Sequence, residues 1–284
     1  MAAILFIFGA AVGSFVGVIA SRYQPDRFLF SRKILGGRSH CDACGATLKW
    51  FELIPVLSFL AQRGRCRNCG ARLSFKYPLV EILSGFIFVF VPLRLSGASY
   101  LLPAAHYLLA ALWIFSFLVL LIITLIDLRL SIIPDEANIL LGIFGIFTVF
   151  LSQSDFGLVG GSFLKSYALL FGWRNNIWLN HFLAAIFGGV FFSLIIFLTR
   201  GRGMGMGDLK LAMPLGFLFG WPDIILIVGI SFVIGSVCGI WTMIKKKKGL
   251  KSPLPFGPFL AASAAIVFFF GYELVSFYFR LFSL

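Results

Sequence analysis

HYLLAALWIFSFLVLLIITLIDLRL, residues 106–130, holds no acidic residue, lysine or arginine until it meets Asp127, with Arg129 just after it. As a helix the apolar part is long enough to cross the roughly 30 Å hydrocarbon layer of a bilayer. A carboxylate at its very end must be paired, buried or employed. Similar windows lie at 2–20, 79–95, 136–151, 180–199, 209–221, 223–244 and 257–277. The sixth in chain order, 209–221, is the shortest and is bounded by Gly and Pro. The pattern predicts an all-α polytopic membrane protein of about eight transmembrane helices.

Composition agrees. Of 284 residues, 60% are hydrophobic and 12% charged, and mean hydropathy is +0.99. A soluble domain carries about twice that share of charge. The net charge of +13 does not call for nucleic acid, because cationic residues gather on the cytoplasmic side of membrane proteins. With the N-terminus outside, eight spans put 20 of the 24 Lys and Arg inside; the reverse orientation inverts the bias. The run Lys245–Lys248 reads as an anchor facing anionic lipid. The first apolar stretch lacks a basic start and is followed by Arg22, Arg27 and Arg32, so it reads as a retained span. The expected organisation is a first helix at 1–20, a cytoplasmic insert at 21–78 and a membrane unit of about seven helices at 79–284. The loop 152–179 could carry a short amphipathic helix.

The insert contains Cys41-Asp-Ala-Cys44 and Cys66-Arg-Asn-Cys69, each followed by glycine. Two such turns converge four thiolates on one tetrahedral ion, which suits zinc. Four protein ligands leave no open position for water, so the metal reads as structural. A unit of this length buries little core and needs such a staple. The fifth cysteine, Cys238, reads as a small buried hydrophobe, and His106 and His181 as interfacial residues.

Among eleven acidic residues, Asp127 and Asp208 stand out. Asp127 closes the third span and Asp208 opens the sixth in GRGMGMGDLKL, both at the predicted cytoplasmic boundary. Two carboxylates that meet share one proton. One then accepts a proton from water while the other polarises a peptide carbonyl. Gly205 and Gly207 leave backbone open to an extended peptide. The bland reading makes both Asp residues caps, or partners of Arg129 and Lys210. Asp135, after Pro134, reads as an N-cap or a helper. Glu81 reads either as a partner of a basic group or as a substrate contact.

These motifs together resemble the type IV prepilin peptidases, the prepilin leader peptidase/N-methyltransferases, which are GxGD intramembrane aspartyl proteases. GSFVGVIASR (13–22) is similar to the family's GSFLNVVIxR, with Gly17 where Asn is usual. Residues 38–81 resemble its cysteine domain, IDLRLSIIPD (126–135) the segment of its first catalytic Asp, GMGMGDLKL (203–211) that of its second, and PLPFGPFLA (253–261) a C-terminal motif. The resemblance implies cleavage after Gly of a short basic leader from prepilins or pseudopilins, at the cytoplasmic membrane face. It makes Asp127 and Asp208 the catalytic pair. It also implies S-adenosylmethionine-dependent methylation of the new N-terminus, with the cysteine domain contributing. No stretch of the sequence by itself marks a methyl-donor pocket, and the insert is too small for a Rossmann-type methyltransferase. The competing readings are an ion or proton transporter built on intramembrane carboxylates, a zinc-stabilised assembly scaffold, and a peptidase without methyltransferase activity.

Overall fold

The structure is a computed structural model, and it describes residues 1–96, 103–152, 162–168, 176–246 and 254–281. It is built of helices: α1 (Ala2–Arg22), α2 (Arg32–Leu35), α3 (Leu57–Ala61), α4 (Lys76–Leu95), α5 (Pro103–Leu130), α6 (Asp135–Ser152), α7 (Ile177–Leu198), α8 (Met206–Phe219), α9 (Asp223–Lys246) and α10 (Gly257–Leu281). No strand is formed among the described residues; only isolated bridges occur, in the cysteine insert. Seven helices are long and apolar enough to cross a membrane: α1, α4, α5, α6, α7, α9 and α10. The protein is therefore a multi-pass membrane protein.

The predicted sixth span is the exception. Helix α8 has 14 residues, which is about 21 Å of rise. It nevertheless packs along α6 and α7, and at its far end Phe219 meets the Trp113 ring of α5 at 5.0 Å. Its N-terminus lies further upstream than the apolar pattern predicts, because Asp208 reaches back to the Gly205 N–H at 3.3 Å. This first-turn carboxylate satisfies an otherwise free helix-end donor.

Small residues set how closely the helices approach. On α1, a Cβ added at Gly13 would stand 2.6 Å from the Ser84 Cβ of α4, and one at Gly9 would stand 2.8 Å from the Phe88 ring. On α8, a Cβ at Gly216 would stand 2.4 Å from the Ala184 carbonyl of α7. Lipid offers no hydrophobic drive between helices, so backbone proximity of this kind supplies the packing contact. At the far end Trp113, Phe163, Phe219 and Phe268 form an aromatic cluster with centroids 4.6–5.8 Å apart. There the fully buried Asp223 accepts hydrogen bonds from Ser162 Oγ at 2.9 Å and the Phe163 N–H at 3.0 Å.

His181 is enclosed by protein: it is buried, and its Nδ1 lies 2.8 Å from the Phe217 carbonyl, joining α7 to the end of α8. Cys238 is half-buried on α9. In the loop 152–179, Lys165–Tyr167 makes one 3-10 turn; most of the remainder lies outside the described residues, as do Lys247, Lys248 and Lys251.

Candidate active site

Asp127 sits one turn before the end of α5, on the same face as the fully buried Ile123 and Ile126, and is itself 4% exposed. Its neighbours explain how a carboxylate is tolerated there. The Gly257 N–H, at the start of α10, donates to Asp127 Oδ2 at 3.0 Å. A helix N-terminus offers unpaired N–H groups and a positive dipole end, so α10 is the natural element to face a carboxylate. Beyond Leu130 the chain turns at Ser131, with φ +55°, and residues 132–136 pass across the same opening.

Asp208 comes to that opening on α8. Both carboxylates line one cavity of about 610 Å³. Asp135, Glu136, Lys210 and Tyr23 complete much of its polar wall. Four of the chain's eleven acidic residues thus meet there with one lysine, in a protein of net charge +13. Among the described residues the salt bridge is Lys210 to Asp135, at 2.8 Å. It engages neither Asp127 nor Asp208. Arg129 instead donates to the carbonyls of Ser21 and Tyr23. Asp135 opens α6 as expected, but its side chain serves the lysine. Gly205 lines the cavity as the residue before α8, and Gly207 does so while lying against Ile133.

Glu81 belongs elsewhere. It is 8% exposed on α4, takes the Val56 N–H at 2.7 Å, and is hydrogen-bonded by the Ser14 side chain. Val56 holds φ +60°, a strained conformation for a β-branched residue, and the Glu81 bond fastens that strained corner of the insert to the membrane helices. Glu81 lines a second cavity of about 600 Å³ between the insert and the ends of α1, α4 and α5.

The insert's two cysteine turns are near copies. Gly45 N–H donates to Cys41 O at 2.8 Å and Gly70 N–H to Cys66 O at 2.9 Å; both glycines hold positive φ, +69° and +71°. The four sulfurs lie within 4.8 Å of one another, with Cys41 and Cys69 3.9 Å apart. A tetrahedral Zn–S site with bonds of about 2.3 Å has edges of about 3.8 Å, so the donor set fits such an ion. Asn68 Nδ2 lies 3.6 Å from Cys44 Sγ. That amide, the Ala46 N–H and neighbouring thiols outweigh desolvation and hold the Cys44 thiol down at about 6.

Sequence reasoning missed three contributors. Glu136 was overshadowed by Asp135, although an acidic pair opening an apolar helix is itself a signal. Gly257 stood inside a quoted motif without a role. Tyr23 carries no signal in sequence beyond its place at the end of the first span.

The sequence model of the type IV leader peptidase family matches residues 114–240, and that of the bacterial peptidase A24 N-terminal domain matches residues 7–95. A prepilin leader peptidase/N-methyltransferase of Bacillus subtilis (strain 168) is 30% identical over 281 residues, covering 99% of each chain. One of Burkholderia pseudomallei (strain K96243) is 32% identical over 95% of this chain and 85% of its own. One of Aeromonas hydrophila is 28% identical over 97% of this chain and 92% of its own. No solved structure matches.

Proposed function

Because this chain belongs to the type IV leader peptidase family, we propose that it removes the leaders of prepilins or pseudopilins with Asp127 and Asp208 and then N-methylates the product. It is an aspartic peptidase with methyltransferase activity. The observation that carries the residue assignment is the shared cavity: two carboxylates from different helices, neither salt-bridged to a cation among the described residues, face one space large enough for a stretch of peptide.

In this reading the pair holds one proton. The ionised carboxylate takes a proton from water as the oxygen attacks the scissile carbonyl, and the protonated one donates to that carbonyl. Gly257 N–H fixes Asp127 and Gly205 N–H fixes Asp208, so neither carboxylate must reorganise as charge develops. The acidic wall accounts for a basic leader: Asp135 and Glu136 stand at the mouth and attract cationic side chains. Cleavage follows a Gly at the cytoplasmic face of a bacterial inner membrane, with the N-terminus outside, membrane lipid around the helices and no nucleic acid partner. The insert 21–78 holds a structural zinc on Cys41, Cys44, Cys66 and Cys69. S-adenosylmethionine, when bound, supplies an electrophilic methyl group to the newly exposed amine. A transporter is not favoured, since Asp127, Asp135 and Asp208 cluster at one end of their helices around one opening.

The decisive assay follows cleavage of a prepilin peptide by the purified protein in lipid, for wild type and for the single variants Asp127→Asn and Asp208→Asn. Cleavage retained by either variant overturns the assignment.

A further inference from the structure

The second cavity has no part in peptide hydrolysis as described above. We propose that it is where the methyl donor binds, an inference that rests on the methyltransferase reading. Its volume, about 600 Å³, lies within the roughly 300–1,000 Å³ of pockets that enclose cofactor-sized ligands. Its roof is the cysteine insert and its floor the ends of α1, α4 and α5.

The lining has the chemistry that an adenosyl sulfonium amino acid requires. Glu81, almost fully buried, presents a carboxylate suited to a ribose diol or an ammonium group. The rings of Phe59 and Tyr77 offer apolar faces for a purine, and aromatic faces also favour a cationic sulfonium. Tyr77 is itself held by its hydroxyl on Asp42 Oδ2, at 3.0 Å. Gly17 lines the cavity from α1, and a Cβ built there would meet nothing within 4 Å. Space is therefore open at the position where this chain lacks a side chain.

The placement suits two consecutive reactions. Asp127 and Arg129 both lie on α5, one lining each cavity. Two residues turn a helix by about 200°, so the cavities flank α5 on opposite sides. Between them stands the end of α1: Arg22 lines the donor side and Tyr23 the peptide side, and the Arg129 guanidinium holds the carbonyls of Ser21 and Tyr23. A cleaved chain end leaving the carboxylates is thus a neighbour of the donor, separated by one guanidinium and one turn of backbone.

The test measures binding, not turnover. Radiolabelled S-adenosylhomocysteine is dialysed to equilibrium against zinc-loaded protein in nanodiscs, for wild type, Gly17→Phe and Glu81→Gln. The phenyl ring fills the open space, and the amide removes the buried charge. Glu81→Gln is expected to weaken binding by about tenfold or more, the loss that follows from removing one hydrogen bond to a charged group, and Gly17→Phe, by occupying the ligand's space, by at least as much. Zinc content and melting temperature, measured alongside, report on folding. Binding equal to wild type in both variants overturns the proposed site and leaves the methyltransferase reading intact. No binding by wild type overturns the reading and the site together. Ultraviolet crosslinking of tritiated S-adenosylmethionine to wild type locates the donor without any variant. Label within 14–22, 39–62 or 73–81 supports the site, and label within 131–136 or 205–210 overturns it.

Discussion

Gly257 and Asp127 are 130 positions apart in sequence, yet the backbone N–H of the first donates to Oδ2 of the second at 3.0 Å, and a Cβ at Gly257 would stand 2.7 Å from that same oxygen. Gly257→Ala therefore displaces the Asp127 carboxylate while leaving its chemistry intact. A misplacement of about 1 Å at a reacting group can cost about 100-fold. Prepilin cleavage is expected to fall by that order in kcat, with little change in KM. An unchanged kcat shows that the contact is dispensable.

The carboxylates themselves are predicted to act as a unit. Asp127→Asn and Asp208→Asn each remove at least about 100-fold of cleavage, the usual reach of general acid–base catalysis, and the double variant is little worse than either single one. Multiplying effects in the double variant argue against a shared proton.

Metal retention is predicted to depend on Asn68. Thiolates bind metal and thiols do not, so affinity falls as pH falls. With its folded value lowered to about 6 by the Asn68 amide first of all, Cys44 contributes stability present above its ordinary thiol range and lost as pH drops through 6. Asn68→Ala lets that thiol rise, moving the midpoint of zinc loss to higher pH. Metal content by mass spectrometry across pH 5–8 reads the shift, and coincident curves count against it. Cys41→Ser, which deletes a buried ligand, should unfold the insert at any pH in that range.

Lys210 and Asp135 make a salt bridge whose side chains are 48% and 62% exposed. Such a pair adds little stability, under about 1 kcal/mol, so Lys210→Ala should scarcely move the melting temperature. The proposed role of the acidic mouth predicts something different for Asp135→Asn and Glu136→Gln. KM for a basic leader peptide should rise, more at low salt than at high, while a leader with neutral substitutions should show no difference.

Much of the fold was legible because lipid is an exacting solvent: a stretch that must be apolar for 20 residues announces itself. The discrepancies sit where protein replaces lipid. Helix α5 runs on past Asp127 to Leu130 because its end is packed by α1 and α10. Helix α8 begins at Met206, ahead of its apolar run, because a carboxylate caps it. The two aspartates were visible as lone acids bordering apolar runs. Their anchors were not, since the partners are backbone N–H groups, which every residue but proline has and which leave no trace in composition. Glu81 escaped assignment for that reason: its direct partners are an amide at Val56 and the hydroxyl of Ser14, not the basic group that charge pairing suggests.

The brevity of α8 has a consequence for supply of the second reactant. Its rise of about 21 Å falls roughly 9 Å short of a bilayer's hydrocarbon thickness, and the stretch before its Asp208 end, 201–205, is glycine-rich, non-helical and largely exposed. Hydrocarbon cannot seal against bare peptide groups, so wherever that stretch meets the bilayer the membrane is expected to thin or hydrate. On the proposed assignment, water then enters the cavity of Asp127 and Asp208 from its solution-facing side, and a bond at the edge of oil is hydrolysed with no channel bored to reach it.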